Sequence, residues 1–229
     1  MTDGQKLKLN WSQISEDIFG SEENGRVHNM EQARSILSKL IGKADIENTV
    51  LVYLRGSKGS ELARYLLKLI SSPDALTFCK HIVDSPQTYK PIERQLAVEL
   101  LRDIGDESIL PWIDEFMTDD DPLVQIWAAS GVMNLYYRTM IDEEALEKYC
   151  ATFRSHKLGQ VRHTAAQMKL SLLHEERRRR RDKFLVAVEE SIDAEIEPLR
   201  IEYLAICSEV NALSNTLDEL LPNDEFPLL

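Results

Sequence analysis

Residues 91–138, PIERQLAVELLRDIGDESILPWIDEFMTDDDPLVQIWAASGVMNLYYR, carry two copies of one pattern. In each copy an alanine is followed four and seven positions later by an aliphatic residue. Positions i, i+4 and i+7 lie on one face of an α-helix, so each copy predicts a helix with one buried face. The two sets are Ala97, Leu101 and Ile104, and Ala128, Val132 and Leu135.

The same pattern occurs once before and once after this stretch. It begins at Ala63 and at Ala165, which places the four alanines 34, 31 and 37 residues apart. The last copy departs from the pattern, because Lys169 occupies the i+4 position. A period in this range is typical of stacked helical repeats. The repeat therefore predicts an all-α fold, a right-handed α–α solenoid in which each helix pair completes its core against its neighbours.

The apolar spacing divides the chain into three parts. Residues 1–29 form a poorly periodic N-terminal extension, residues 30–175 form the helical repeats, and residues 176–229 form a two-helix C-terminal cap and tail. Within the cap we expect one helix over about 182–197 and another over about 198–220, interrupted at Pro198. In the repeats we expect helices over about 30–41, 45–55, 60–71, 73–84, 91–104, 107–117, 122–138, 142–154 and 159–175.

Composition limits the classes of function. The chain has 229 residues, 43% hydrophobic and 29% charged, with a net charge of −12. Such an acidic chain repels nucleic acid and anionic membranes, and it attracts a basic protein partner. No stretch approaches the roughly 20 apolar residues that span a bilayer. We expect a cytoplasmic protein without a membrane segment.

Several of these residues resemble the HEAT or HEAT-like repeat. The resemblance rests on Ile104-Gly105-Asp106, Ile109–Ile113, Asp119–Val124 and the paired Ala128-Ala129, and Val161-Arg162 with Ala165-Ala166 is similar to the opening of a second repeat helix. It covers about residues 58–173 and is strongest over 91–135. The resemblance implies a solenoid whose second helices line a concave face. Members of this superfamily mostly bind proteins, some bind nucleic acid, and a few are enzymes such as chromophore lyases.

The resemblance also suggests the candidate partner-binding residues. Arginine is usual at the positions of Arg94 and Arg162, where it either contacts turn carboxylates or meets a ligand. The acidic turn is interpreted either as an edge that binds a basic partner or as ordinary helix capping. Aromatic residues on the 122–138 helix either form a binding hot spot or fill gaps between repeats. The full candidate set is Arg94, Asp119, Asp120, Asp121, Trp127, Tyr136, Arg162 and His163.

Arg177–Arg181 are five consecutive arginines and form the one strongly basic run of the sequence. They either contact an acidic partner or RNA, or form a solvated helix face. Glu175 and Glu176 precede Arg179 and Arg180 by four residues, the favourable order for helical ion pairs. Because five consecutive residues cover more than one helical turn, they cannot all face one ligand.

No recognised catalytic, metal-binding or nucleotide-binding motif occurs in the sequence. We therefore expect no catalytic residue, no metal and no cofactor. The pair His174-Glu175 resembles the His-Glu pairs of the di-iron HEAT-repeat hydroxylases, but that family uses several such pairs.

Together these observations favour a non-enzymatic HEAT-like module that binds a basic partner protein through its concave face and acidic edge. A bacterial immunity or antitoxin protein and an adaptor both fit this expectation. Two alternatives stay open: an enzyme such as a chromophore lyase or metal-dependent hydroxylase, and a nucleic-acid-binding protein that uses Arg177–Arg181. The apolar stripe of the C-terminal helices needs a cover, so a homo-oligomer formed through them is a further alternative.

Overall fold

The computed structural model describes residues 41–56, 59–190 and 192–217. The N-terminal extension lies outside the described residues, as does the helix expected over 30–41 except for its last residue. Every regular element in the described part is helical, which confirms the all-α class. A short 3₁₀ turn, Glu107–Ile109, precedes α5. The α-helices are α1 Lys43–Leu54, α2 Ser60–Ile70, α3 Pro73–Val83, α4 Pro91–Ile104, α5 Leu110–Phe116, α6 Pro122–Tyr137, α7 Glu143–Phe153, α8 Gly159–Glu189 and α9 Asp193–Leu217.

Helix starts follow the local signals in the sequence. Pro73 and Pro122 occupy the first turns of α3 and α6, where a missing N–H costs nothing. The side chain of Ser72 accepts a hydrogen bond from the backbone N–H of Asp74. The carboxylate of Asp142 accepts one from the backbone N–H of Ala145 at the start of α7, as expected of a cap.

The C-terminal helices differ from the expectation. We expected α8 to end near residue 175, but it continues unbroken through the arginines to Glu189. Arginine is a good helix former, and ion pairs with Glu175 and Glu176 bridge successive turns there. The expected interruption at Pro198 is also wrong, because Pro198 lies inside α9. The chain instead turns just after α8, where the backbone N–H of Ile192 bonds to the carbonyl of Ala187 at 3.0 Å.

The described part of the chain divides into two compact units, with the boundary between Thr88 and Tyr89. This division falls inside the range 30–175 that we expected to be one array, and the three-part organisation stays a prediction. In the first unit α1 packs against α2 and α3. Buried residues of these helices include Ile46, Val50, Leu67, Ala75 and Cys79.

In the second unit α6 lies at the centre and packs against α4, α5, α7 and α8. At one end of α4, Gln95 donates to Asp121, the cap residue of α6, at 2.7 Å. At the other end, the side-chain amide of Asn134 in α6 donates to the carbonyl of Arg102 at 2.7 Å. Because the starts of both helices meet and their later turns meet, α4 and α6 run side by side in the same direction.

The four repeat alanines are all buried, with exposed fractions of 5% or less, in both units. Their small side chains therefore lie on the packed face of each helix, as the pattern predicted. The i+4 and i+7 partners of the first three copies are buried too, whereas Lys169 in the last copy is exposed. The alanines are Ala63, Ala97, Ala128 and Ala165.

α8 and α9 pack against each other through an apolar cluster built on Leu173, Ile206 and Val210. Other apolar side chains of these helices stay outside it, among them Leu185 at 53% and Ile201 at 58% exposed. The cluster covers part of the apolar stripe that the sequence predicted. A homo-oligomer through the remainder stays a prediction. No helix of the described ranges is both long enough and apolar enough to cross a bilayer.

Candidate functional site

The turn after α6 borders an open surface groove of the second unit. The backbone N–H of Thr139 bonds to the carbonyl of Tyr136, and the N–H of Met140 bonds to that of Leu135, both at 2.9 Å. These two bonds form a Schellman motif, in which the residue at the position of Thr139 adopts a left-handed conformation. The φ angle of Thr139 is 56°, where glycine is usual and a β-branched residue is strained. Strained residues of this kind cluster at functional sites.

Beside this turn lies an open groove with a volume of about 1090 Å³, which we call the tyrosine groove. The end of α6 supplies Tyr136 and Tyr137, and the 3₁₀ turn before α5 supplies Glu107. The remaining lining residues come from α5, the turn after α6, the start of α7 and the middle of α8: Leu110, Thr139, Met140, Ile141, Asp142, Glu143, Ala145, Ser171, His174, Glu175 and Arg178.

The residues of α8 in this groove have helical spacing. Three of them lie three, four and seven positions after the first, so all four share one face of the helix. They are Ser171, His174, Glu175 and Arg178. The hydroxyl groups of Tyr137 and Ser171 are 3.3 Å apart and join the end of α6 to this face by a hydrogen bond. Tyr137 remains 65% exposed and is available to a ligand.

The charge of the tyrosine groove is predominantly negative. Four carboxylates, those of Glu107, Asp142, Glu143 and Glu175, line it together with the guanidinium of Arg178. Glu175 accepts a hydrogen bond from Arg178, and Glu143 accepts one from Arg179 at 2.6 Å, which links α7 to α8. Asp142 also caps α7, but the four carboxylates still outnumber the two guanidinium groups that contact them, and this excess favours a positively charged ligand.

Tyr136 is protonated at neutral pH in this surrounding. Burial raises the pKa of its phenol, and the negative charges of Glu175 and Glu143 raise it further, while Arg179 and Arg178 act in the opposite sense. A protonated phenol retains its O–H, so Tyr136 can donate a hydrogen bond to an acceptor on a ligand.

Two of the three carboxylates of the acidic turn, those of Asp119 and Asp121, form contacts within the fold. Asp119 forms an ion pair with Arg94, and their side chains are only 16% and 11% exposed. One oxygen of Asp121 caps α6 at the backbone N–H of Leu123, at 2.9 Å. Asp120 is exposed. Arg94, Asp119 and Asp121 therefore lie together in one structural cluster, outside the tyrosine groove.

Trp127 packs beneath a cation. The guanidinium carbon of Arg102 lies 4.7 Å from the centre of its ring, within cation–π range. Both residues, with Gly131, line a small gap between α4, α5 and α6. Trp127 is half-buried.

The remaining candidates are dispersed. Tyr136 is the one predicted site residue that lines the tyrosine groove. Arg162 is exposed at the start of α8 and donates to the backbone carbonyls of His156 and Lys157, at 2.9 and 2.8 Å. His163, next to it, is half-buried.

The arginine run is largely neutralised by neighbouring carboxylates. Arg178 pairs with Glu175, Arg179 and Arg180 both pair with Glu176, and Arg181 pairs with Asp182. These contacts favour the interpretation of a solvated, ion-paired helix face. Of the two expected pairs, Glu176 with Arg180 forms, whereas Glu175 pairs with Arg178. In the described residues no three His, Cys, Asp or Glu side chains lie close enough to hold a metal ion.

Sequence reasoning missed most of the tyrosine groove. Thr139 and Ser171 were not considered. Tyr137 was considered only with the other aromatic residues of the 122–138 helix, and Arg178 only within the arginine run. His174 was considered only as a metal-site fragment, and Glu175 also as an ion-pair partner of the arginines. The spacing of the four α8 residues predicts that they share one helix face. The sequence does not predict that this face contacts the end of α6, because that contact depends on how α6 and α8 pack.

Comparison of the chain with protein-family models, with curated proteins and with solved structures gives no match.

Proposed function

We propose that this chain is a non-enzymatic, cytoplasmic, HEAT-like α–α solenoid that binds a basic segment of another protein in the tyrosine groove. The repeat spacing and the spatial contacts agree with one another. Asn134 contacts Arg102, Arg138 contacts Gly105 and Tyr137 contacts Ser171, across 32, 33 and 34 residues respectively. A solenoid brings equivalent positions of successive repeats together in this way.

The observation that carries the binding proposal is the tyrosine groove itself. It combines an exposed tyrosine, Tyr137, with four carboxylates on a preformed open surface. Tyrosine is enriched at binding hot spots, because it supplies a large rigid contact area and a hydroxyl group. Carboxylates around it attract a basic partner and reject acidic ones.

In this proposal the partner contacts the tyrosine groove, and most of the acidic turn that the sequence suggested as a binding edge is not part of the contact. Asp119 and Asp121 are already engaged in contacts within the fold. Asp120 has an exposed side chain and remains the residue of that turn best placed to add negative potential for a basic partner. An immunity protein that neutralises a basic toxin and an adaptor both fit this proposal.

Nucleic acid is the less favoured partner. The guanidinium groups of Arg178–Arg181 already contact carboxylates, which reduces the positive potential that phosphate binding needs. The chromophore-lyase and hydroxylase alternatives stay predictions from the family resemblance.

The test is affinity capture from a lysate of the source cells, with and without nuclease treatment and at low and moderate salt, with mass spectrometry of the retained proteins. The tagged full chain is compared with two groove variants, Tyr137→Ala and Glu107→Lys. Two matched controls are Tyr65→Ala, at a tyrosine 62% exposed against 65% for Tyr137, and Glu144→Lys, at another exposed glutamate in a first helical turn.

We expect one stoichiometric basic protein that both groove variants lose and both controls retain. Equal loss in groove and control variants would contradict the proposal, as would retention of the partner by all four folded variants. Material that disappears on nuclease treatment and depends on Arg177–Arg181 would favour the nucleic-acid alternative instead.

A further inference from the structure

A second cavity, of about 330 Å³, lies between α7, α8 and the end of α9, away from the tyrosine groove. We call it the α7–α8 pocket. Its volume falls at the lower end of the roughly 300–1,000 Å³ of typical small-molecule sites, so the pocket fits a ligand of about ten non-hydrogen atoms.

The cavity exists because small residues face each other across the two helices. Ala151 of α7 and Ala165 and Ala166 of α8 leave a space that longer side chains would fill. Leu213 of α9 and Leu172 of α8 add to its wall. The interior of the pocket is therefore mainly hydrocarbon, which suits an apolar ligand body.

Cys150 belongs to this wall and not to a reactive centre. Its thiol donates a hydrogen bond to the backbone carbonyl of Ala165, with sulfur and oxygen 3.2 Å apart, and the residue is 8% exposed. Burial raises the pKa of the thiol, although Lys169 and Arg154 act in the opposite sense. The thiol is therefore protonated at neutral pH, and a ligand here is held without a covalent bond.

The charged side chains of the pocket are mostly positive. Arg154, Arg162 and Lys169 line it with one carboxylate, that of Glu147. Arg162 is fixed in place by its two hydrogen bonds to backbone carbonyls. Arg154 and Lys169 form no ion pair with any residue of the described ranges. On a chain of net charge −12, this local excess of cations marks a place for an anion.

We propose that the α7–α8 pocket binds a small amphipathic carboxylate, with its apolar body against the alanines and its carboxylate between Arg154 and Lys169. Guanidinium and ammonium groups donate strong hydrogen bonds to a carboxylate, and the apolar wall removes the side of the ligand body that it contacts from water. This site is independent of the tyrosine groove and of the proposed protein partner.

The test is isothermal titration calorimetry of the full chain with octanoate, which has ten non-hydrogen atoms. We expect saturable binding at one site per chain, weakened by about tenfold or more in the double variant Arg154→Gln/Lys169→Gln. The matched control is Lys148→Gln/Lys183→Gln, which removes two exposed cations outside the pocket and should change the affinity less than about twofold.

Two further ligands, octanol and acetate, separate the contribution of the carboxylate charge from that of the apolar body. Octanol lacks the charge and acetate lacks the apolar body, so both should bind at least about tenfold more weakly than octanoate. Ala166→Leu fills the cavity and should abolish binding, with circular dichroism to verify the fold. The absence of saturable octanoate binding, equal affinity for octanol, or equal weakening in both double variants would overturn the proposal.

Discussion

Replacing Asp119 with asparagine removes one charge of the ion pair that ties α4 to the turn before α6. The side chains of Arg94 and Asp119 are 11% and 16% exposed. Removing one partner of a fully buried pair costs about 3–5 kcal/mol, whereas an exposed pair contributes about 0–1 kcal/mol. This pair lies between the two limits, so we expect Asp119→Asn to lower the free energy of unfolding by about 2 kcal/mol. Asparagine keeps an oxygen that can accept from the backbone N–H of Asp121, so the loss is mainly the ion pair.

The assay is urea unfolding of the full chain, followed by far-ultraviolet circular dichroism. Arg94→Met and the double variant complete a mutant cycle, in which we expect a coupling free energy of about 1.5 kcal/mol. Asp120→Asn is the matched control, because Asp120 is the exposed neighbour with the same charge. Its free energy of unfolding should stay within about 0.5 kcal/mol of the unmodified chain.

One result would refute this reasoning. If Asp119→Asn and Asp120→Asn unfold at the same urea concentration, the ion pair does not hold the fold. If both variants then also lose a captured protein partner, the acidic turn is a binding edge, as the sequence alone suggested.

Four further predictions concern packing, strain and titration. A Cβ at Gly105 would lie 2.6 Å from a backbone carbonyl oxygen, so Gly105→Ala should destabilise the chain by about 1–3 kcal/mol in urea unfolding. Ala128 is 1% exposed, and Ala128→Leu should cost a similar ~1–3 kcal/mol by overpacking. Thr139→Gly should stabilise by about 1 kcal/mol and raise the Tm, because glycine relieves the left-handed strain. Burial, then the charge and hydrogen bond of Asp114, raise the pKa of Tyr149 to about 12. Since the folded pKa lies above the unfolded value, stability should fall as the pH rises from about 10 towards 12, and Tyr149→Phe should reduce that fall.

The positions of the helices in the repeats were largely predictable from local signals. Pro73, Pro122 and Asp142 mark starts that the structure confirms, because caps and prolines act within one turn of the chain. The end of α8 was predicted wrongly. The run of arginines looked like a boundary, but their ion pairs with preceding glutamates support a continuous helix.

The candidate site was much less predictable. Tyr136 was identified as one of the aromatic residues of the helix predicted over 122–138, and it lines the tyrosine groove. The family resemblance gave Arg94 two interpretations, a contact with the turn carboxylates or a contact with a ligand, and in the fold Arg94 pairs with Asp119 across 25 residues. Whether a charged side chain faces solvent or a partner helix depends on which helices meet, and a single sequence does not contain that information.

The sequence by itself determined the all-helical class, the buried alanine faces and most helix starts, because these depend on spacing and capping within a few turns. Only the tertiary structure decided that Tyr137 meets Ser171, that Asp119 is the turn carboxylate that pairs with Arg94, and that cations line the α7–α8 pocket. Each of these features joins residues from different helices. Their positions follow from how the helices pack, and local spacing along the chain does not define that packing.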